Sequence, residues 1–437
     1  MTSTLDRLKS SFLDDVSASA GRNRLRMVPE YYDFGKFPEY QEYATMQWYY
    51  QQNGFEWNLF RDHLGVSGAR ARIGDRDMIN FSSYNYLGLA GDPRVLKAAQ
   101  AAVAEYGVST GSGRAITGEI PLHGEFEREI CKATGAADAV LSVGGYSTNA
   151  FTIGYLARGT DLIVYDELIH NSALIGSKTS GARRLSFPHN DAEALDDLLA
   201  EHREYYERCF VLIEGVYSMD GDIPDLPAFV EVKNRHHALL MVDEAHSMGV
   251  IGPRGLGVLD YFPELEAGDI DILFGSLSKA FATCGGYVAG SEPLIAMLKQ
   301  FAPGVLLYGA APTPANTAAG LETLRLMQEE PERARRLQQN AAAFIQEARQ
   351  AGFDTSVSRD SAVVPLMFRS SEQALWLSVK LFEQGICTFP MMYPIVPREK
   401  SRLRFFINAD HTRDEIDHTI ATLSALWKEV PPDRGIM

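Results

Sequence analysis

The fold of this chain is decided by the stretch Asp271-Ile-Leu-Phe-Gly-Ser-Leu-Ser-Lys279-Ala-Phe-Ala-Thr-Cys-Gly285-Gly286-Tyr-Val-Ala-Gly290. Its apolar run at 272–274 is typical of a buried strand. Lys279 follows that strand and two small hydroxyl residues, where poor solvation lowers the pKa of an amine and frees it to attack a carbonyl. Gly285 and Gly286 let the backbone approach a flat ligand. Alone, this pattern also fits an ordinary surface lysine, so the choice between a reactive and a surface lysine depends on the rest of the chain.

Composition and charge exclude several classes of protein. The 437 residues suffice for two or three domains, and 46% hydrophobic with 22% charged residues is typical of globular proteins. A formal net charge of −16 argues against nucleic acid or an anionic membrane as a general partner. The four scattered cysteines contain no CxxC pair, so we predict neither a disulfide framework nor a metal site. We find no membrane span and no signal-peptide pattern, and we expect a cytoplasmic protein.

Five apolar runs predict the strands of a large sheet. They are separated by helical patterns and lie at residues 138–143, 162–165, 210–213, 238–242 and 272–274. Continuous apolar runs that alternate with helices are typical of a parallel sheet covered on both faces. We therefore predict a large α/β domain over residues 76–315.

The two flanking regions have different patterns. Residues 1–75 are rich in aromatic residues and predict an amphipathic helix around residues 40–50 and a hairpin over 68–81 that turns at Gly74-Asp75. Residues 316–437 predict a smaller α+β domain, with helices at 317–328 and 332–351 and strands at 363–368 and 403–408.

Chemically distinctive residues come directly after the predicted strands. Gly144-Gly145-Tyr146 opens a helix and suits a phosphate, His170 offers a flat imidazole, Asp243 a carboxylate and Lys279 an amine. Each has an ordinary alternative, such as a tight turn, a structural histidine or a helix N-cap. Because ligands of parallel sheets bind beyond the carboxyl ends of the strands, these residues should share one edge. Together they favour a lysine that forms a Schiff base with pyridoxal phosphate.

The same segments resemble the α-oxoamine synthases, fold-type-I pyridoxal phosphate enzymes that include serine palmitoyltransferase, aminolevulinate synthase and amino-oxononanoate synthase. The matching motifs occur in the family's order and are Phe81-Ser-Ser-Tyr-Asn-Tyr-Leu-Gly-Leu89, Gly111-Ser-Gly-Arg-Ala-Ile-Thr-Gly118, His170-Asn-Ser, Phe187-Pro-His-Asn190, Glu214-Gly-Val-Tyr-Ser-Met-Asp-Gly-Asp222, Met241-Val-Asp-Glu-Ala-His-Ser-Met-Gly-Val250, Ser276-Leu-Ser-Lys279 and Arg402-Leu-Arg404. Through Gly118-Glu-Ile-Pro-Leu-His123 and Gly221-Asp-Ile-Pro-Asp-Leu-Pro227 the chain is most similar to synthases of polyketide and fatty-acyl assembly lines.

This resemblance implies roles for four catalytic residues. Lys279 would hold the cofactor and act as general base, and His170 would stack on the pyridine ring. Asp243 would pair with the ring nitrogen and keep it protonated. His246 would reach the phenolic oxygen or the incoming acyl carbonyl.

The resemblance also implies the binding contacts. They are Gly145, Tyr146 and Ser276 for the phosphate, Ser218 for the phenolic oxygen, and Arg404 with Tyr84 for the amino acid carboxylate. Where relatives carry a threonine that reaches the neighbouring subunit's phosphate, this chain has Ala310, which cannot make that contact.

The implied reaction is a decarboxylative Claisen-type condensation of an α-amino acid with an acyl thioester, giving an α-amino ketone, in a homodimer. We expect an acyl carrier protein as donor in preference to coenzyme A. An acidic carrier would need a basic docking site, for which arginines cluster at 22–26, 70–72, 183–184 and 333–336. Two alternatives stay open: an aminotransferase or a ligase that keeps the carboxylate, and a non-catalytic partner subunit.

Overall fold

A computed structural model describes residues 27–52, 60–393 and 395–432. The strands within these ranges are β1 (His63–Leu64), β2 (Arg70–Ile73), β3 (Arg76–Asn80), β4 (Asp138–Ser142), β5 (Leu162–Asp166), β6 (Arg183–Phe187), β7 (Cys209–Glu214), β8 (Leu239–Asp243), β9 (Ile272–Ser276), β10 (Gly286–Gly290), β11 (Val363–Met367), β12 (Ile386–Cys387), β13 (Phe389–Met391) and β14 (Arg402–Phe406).

The α-helices of the same ranges are α1 (Pro38–Gln52), α2 (Pro93–Tyr106), α3 (Pro121–Thr134), α4 (Gly145–Leu156), α5 (Asn171–Thr179), α6 (Ala192–His202), α7 (Leu226–Arg235), α8 (Val258–Tyr261), α9 (Glu292–Phe301), α10 (Pro314–Glu329), α11 (Glu332–Gln350), α12 (Ser371–Glu383) and α13 (Arg413–Trp427). None of these helices is long and apolar enough to cross a membrane.

The chain divides into two units, residues 1–59 and 60–437. In the smaller unit, α1 confirms that a helix is present, and it begins at a proline, which suits the first helical position. Its predicted amphipathic character is not confirmed, because apolar and polar residues are spread around the helix. Its Tyr50 is buried, whereas Tyr40 and Tyr43 are more than half exposed. The division falls at residue 59, and the boundaries that we predicted at 75 and 315 stay predictions.

The centre of the larger unit is a seven-stranded sheet. The strand order is β4-β10-β9-β8-β7-β5-β6, and every pairing is parallel except the two made by β10. The five predicted strands are confirmed, and their apolar residues form a buried core; each fully buried Val, Leu, Ile or Phe contributes about 1.5–3 kcal/mol. The registers Glu214↔Asp243 and Asp243↔Phe274 make β7 and β8 end level with one another, while β9 continues two residues further to Ser276.

The predicted elements on either side of this sheet are also present. The hairpin of β2 and β3 turns at Gly74, whose φ of 60° favours glycine. In the C-terminal part, α10, α11, β11 and β14 match the predicted elements within a few residues, and β11, β14 and β13 form an antiparallel sheet. Unpredicted β12 pairs in parallel with β3 and joins this part to the hairpin.

Candidate active site

A cavity at the carboxyl ends of β7, β8 and β9 brings together seven of the ten predicted site residues. Its lining residues are Gly145, Tyr146, His170, Ser172, Glu214, Asp243, Ala245, His246, Phe274, Ser276 and Lys279. The other three predicted residues are Tyr84, Ser218 and Arg404, and their contacts are described below.

Lys279 lies three residues beyond β9. Burial lowers the pKa of its ammonium group, although the carboxyl groups of Asp243 and Glu214 oppose that shift. Its Nζ lies 6.0 Å from the ring centroid of Tyr84. A lowered pKa raises the fraction of neutral amine, which is the nucleophilic form.

Asp243, the last residue of β8, is buried and oriented by two donors. The Nδ2 of Asn149 donates to Oδ2 and the N–H of Ala245 donates to Oδ1, each at 2.9 Å. Burial raises the pKa of Asp243, and the positive charges that Lys279 and His170 carry when they are protonated oppose the rise. A cationic ligand placed against this carboxylate would favour its charged form.

His170 is the N-cap residue of α5 and exposes its ring to the cavity. The N–H of Ser172 donates to its Nδ1 at 3.2 Å, and the Ser172 Oγ lies 2.8 Å from the same atom. Burial lowers the pKa of His170, with Lys279 and Arg404 adding to the effect and Asp243 opposing it. The ring is therefore neutral at neutral pH, with Nδ1 as its acceptor.

The first turn of α4 meets the end of β9 at very short range. A Cβ built on Gly145 would lie 2.6 Å from the Oγ of Ser276, and one on Gly286 would lie 2.9 Å from the Cα of Gly145. The Oγ of Ser276 lies 2.8 Å from the Oγ of Ser278. Free backbone N–H groups of a helix start, beside two hydroxyls, are suited to an anion such as phosphate.

His246 lines the same cavity and is buried. Its Nδ1 lies 2.7 Å from the Oη of Tyr86, and its ring is nearly parallel to that of Phe406. Burial lowers the pKa of His246 well below its usual value, and Lys279 and Arg404 lower it further. The imidazole is neutral at neutral pH.

Arg404 extends from β14 towards the loop that follows β7. Its Nη1 donates to the carbonyl of Ser218 at 2.8 Å, and its guanidinium carbon lies 4.5 Å from the Phe406 ring centroid. Among the described residues its buried Nε has no hydrogen-bond partner. Burial lowers the pKa of Arg404, and Tyr84 opposes that shift. A buried cation with a free donor is suited to an anionic ligand.

The regions that match known proteins include the residues that line this cavity. Residues 76–423 match the family described as aminotransferase class I and II. The 8-amino-7-oxononanoate synthase of Fervidobacterium nodosum is 38% identical over 365 residues, which cover 83% of this chain and 91% of that protein. The serine palmitoyltransferase of Sphingobacterium spiritivorum is 34% identical over 372 residues, which cover 85% and 92%.

The chain belongs to the α-oxoamine synthases.

A solved structure of a serine palmitoyltransferase with its pyridoxal phosphate matches this α-oxoamine synthase with a TM-score of 0.85 and 29% identity, covering 94% of this chain and 100% of that one. The fold-type-I architecture is thereby confirmed, and so is the expectation of a pyridoxal phosphate-dependent enzyme. The cavity fits the cofactor: it offers an amine, an oriented carboxylate, a flat neutral ring and a helix start with no room for a side chain at Gly145.

Sequence reasoning missed two residues of this α-oxoamine synthase site. Glu214 is buried at the end of β7; burial and the charge of Asp243 raise its pKa well above the usual value, and its Oε2 accepts the N–H of Ser218 at 3.2 Å. Asn149 lies one helical turn beyond Gly145 and holds Asp243. The sequence signal that could have identified Glu214 is its position at the end of a predicted strand, as for Asp243.

The structure leaves two of the predicted contacts untested. Ser218 is buried and bonds through its backbone to Glu214 and Arg404, so its contact with a phenolic oxygen stays a prediction. Ala310 is exposed in the loop that also carries Tyr308, and what takes the place of a threonine there stays a prediction as well.

Proposed function

We propose that this enzyme condenses an α-amino acid with an acyl thioester, with loss of carbon dioxide, to give an α-amino ketone. The observation that carries the proposal is Arg404, a buried guanidinium with a free Nε that lies beside the cavity containing Lys279. An amino acid whose carboxylate is held by Arg404 would present its Cα towards the amine of Lys279.

The chain's own residues divide the work of the reaction. When bound, pyridoxal phosphate supplies an electron sink for the negative charge that develops at the amino acid Cα. Asp243 would accept a hydrogen bond from the ring nitrogen and favour its protonated form, and Asn149 holds that carboxylate in place. His170 presents its neutral ring as a flat surface on which the cofactor ring would stack.

Proton transfer is assigned to Lys279 and His246. The amine of Lys279 takes the α-proton as general base and later returns a proton to Cα. If the Oη of Tyr86 donates to Nδ1 of His246, Nε2 carries the proton and can donate to the acyl carbonyl. A bond forms between Cα and the acyl carbon while the carbon–sulfur bond breaks, and the thiolate that leaves takes up a proton from solvent. The bond to the carboxylate then breaks and releases carbon dioxide.

The test is mass spectrometry of the products from a panel of amino acids and acyl thioesters, with carbon dioxide measured in parallel. One carbon dioxide released for each α-amino ketone formed is the expected result. A condensed product that retains the carboxylate would instead identify a ligase, and a 2-oxo acid an aminotransferase. The intact Lys279, Asp243 and His170 in one cavity disfavour a non-catalytic subunit.

The proposed donor is an acyl group on a carrier protein, and the proposed assembly is a homodimer. Of the arginine clusters, the one at 22–26 lies outside the described residues. Arg183 and Arg184 are the first residues of β6, so they lie at the N-terminal ends of the strands, away from the cavity. Arg333 and Arg336 have acidic partners. The hairpin of β2 and β3 carries the exposed Arg70 and Arg72 and is followed closely in the chain by Tyr84, which favours it as the docking site. Arg70 is itself paired with Glu415 at 2.7 Å, so a carrier carboxylate would compete with that partner.

A further inference from the structure

A histidine that bridges two carboxylates lies behind the candidate active site. The Nδ1 of His189, two residues beyond β6, lies 2.9 Å from the Oδ1 of Asp166, and its Nε2 lies 2.9 Å from the Oδ2 of Asp222. Carboxylates only accept hydrogen bonds, so both ring nitrogens must donate and the imidazole must be a cation.

The groups around His189 agree with this charge. Burial lowers the pKa of His189, but the hydrogen bonds to Asp166 and Asp222 outweigh burial and raise it to about 10. Two further residues contact His189. The ring of Tyr217 lies edge-on to it, with centroids 4.4 Å apart, and the Oε1 of Glu167 accepts the backbone N–H of His189 at 3.4 Å.

Asp166 closes the turn that carries His170. Its Oδ1 accepts the N–H of Leu168 at 2.8 Å, and its carbonyl accepts the N–H of Ile169 at 3.0 Å. Its Oδ2 accepts the N–H of Asn190 at 2.8 Å. The position of His170 therefore depends on the orientation of the Asp166 side chain.

Asp222 closes the loop that holds Arg404. Its carbonyl accepts the N–H of Tyr217 at 3.0 Å, and between these two residues the carbonyl of Ser218 accepts from Arg404. The neighbouring carbonyl of Met219 accepts from Arg402 at 3.0 Å. The position of the Arg404 guanidinium therefore depends on this loop.

We propose that His189 is a positioning residue. Its cation joins the turn of His170 to the loop of Arg404, and so fixes the position of the His170 ring relative to the Arg404 guanidinium. The carboxylate role of Arg404 rests on the proposed function, whereas the link to His170 does not. Without the cation, Asp166 and Asp222 would repel one another and separate the two segments.

The test compares His189→Gln with His236→Gln in the holoenzyme. His236 is a matched control, because its Nε2 lies 2.6 Å from Asp196 Oδ1 and its side chain is 14% exposed against 18% for His189, yet it precedes β8 at the opposite edge of the sheet. Two quantities are measured: the visible circular dichroism of the bound cofactor, and the Kd of glycine, L-alanine and L-serine from changes in cofactor absorbance.

We expect His189→Gln to lose at least half of the cofactor dichroism and to raise the amino acid Kd by about tenfold, with His236→Gln unchanged. A folded His189→Gln enzyme with wild-type dichroism and Kd would overturn the proposal. If that variant does not fold, Asp222→Asn decides in the same way, since it removes one charge and keeps the shape. An Arg404→Gln variant with wild-type Kd would contradict the proposed function alone, and the dichroism of His189→Gln would still test the positioning role.

Discussion

At the scale of single residues, Lys279 is the side chain with the sharpest expected effect. Lys279→Ala should abolish turnover, because it removes the buried amine that is proposed to hold the cofactor and to transfer the proton. The fold should stay intact, because only those two roles are removed. Borohydride reduction should no longer attach the cofactor to the protein. The exposed Lys178→Ala is the matched control and should keep the attachment. Cofactor still fixed to the Lys279→Ala chain would place the link on another lysine.

Asp243→Asn should bind cofactor and lose most of the rate. The amide can still accept from Asn149, but it cannot hold a ring nitrogen protonated. The expected loss is about 100- to 1,000-fold, comparable to removal of one preorganised electrostatic contact. The measurement is exchange of the amino acid α-proton in D₂O by NMR; near-normal exchange would rule out this role for Asp243.

Glu214 leads to a prediction about pH. Burial raises the pKa of Glu214 well above its usual value, so the folded state binds its proton more tightly than the unfolded state does. Stability contributed by this group is therefore lost as pH rises above the unfolded pKa of about 4.3. Glu214→Gln should keep activity within a few-fold and should flatten the fall in melting temperature between pH 5 and pH 9. A variant with an unchanged pH slope would show that Glu214 is ionised in the folded enzyme.

At the scale of elements, the start of α4 gives the fourth prediction. Gly145→Ala places a Cβ 2.6 Å from the Oγ of Ser276, so the helix start and β9 must separate. We expect cofactor affinity to fall at least tenfold, measured by fluorescence titration. Gly268→Ala is the control, because a Cβ there meets nothing within 4 Å. Equal affinities in the two variants would argue against a phosphate site at this helix.

The elements that the sequence predicted are those whose local pattern agrees with their environment. The five buried parallel strands are continuous apolar runs, and they are confirmed. Strand β6 was missed because an edge strand that opens with exposed Arg183 and Arg184 lacks such a run. Strand β10 was missed because glycines at both of its ends are typical of turns.

The residues of the candidate site were predictable from the sequence only in part, for the same reason. Residues at strand ends were predictable, because parallel strands bring their carboxyl ends to one edge. The pairing of Glu214 with Asp243, and the bridge from His189 to Asp166 and Asp222, depend on register and on loop conformation between distant segments. No local pattern in the chain encodes those distances.

At the scale of the whole molecule, the net charge of −16 gives the fifth prediction. An acidic carrier would be repelled overall and would need a local basic surface. Reversing Arg70 and Arg72 to Glu should lower kcat/KM for the carrier-bound donor by about tenfold at low salt, and less at high salt. The same variant should leave a short pantetheine thioester unaffected.

Reversal of Arg183 and Arg184 is the control for this prediction, since both are exposed but lie at the amino edge of the sheet. Equal kcat/KM for acyl-coenzyme A and the carrier-bound donor, with neither reversal separating them, would refute the carrier as donor.

The parallel pairing of β12 with β3 has a consequence for synthesis of the enzyme in the cell. Ile386 pairs with Ile79, and Arg404 lies near the end of the chain while Tyr84 lies near its beginning. A nascent chain emerges from the ribosome N-terminus first, so the sheet of β1, β2 and β3 waits for its fourth strand, β12, until residues 386 and 387 have been synthesised. A translation product that ends before Arg404 would lack the guanidinium proposed to hold the amino acid carboxylate.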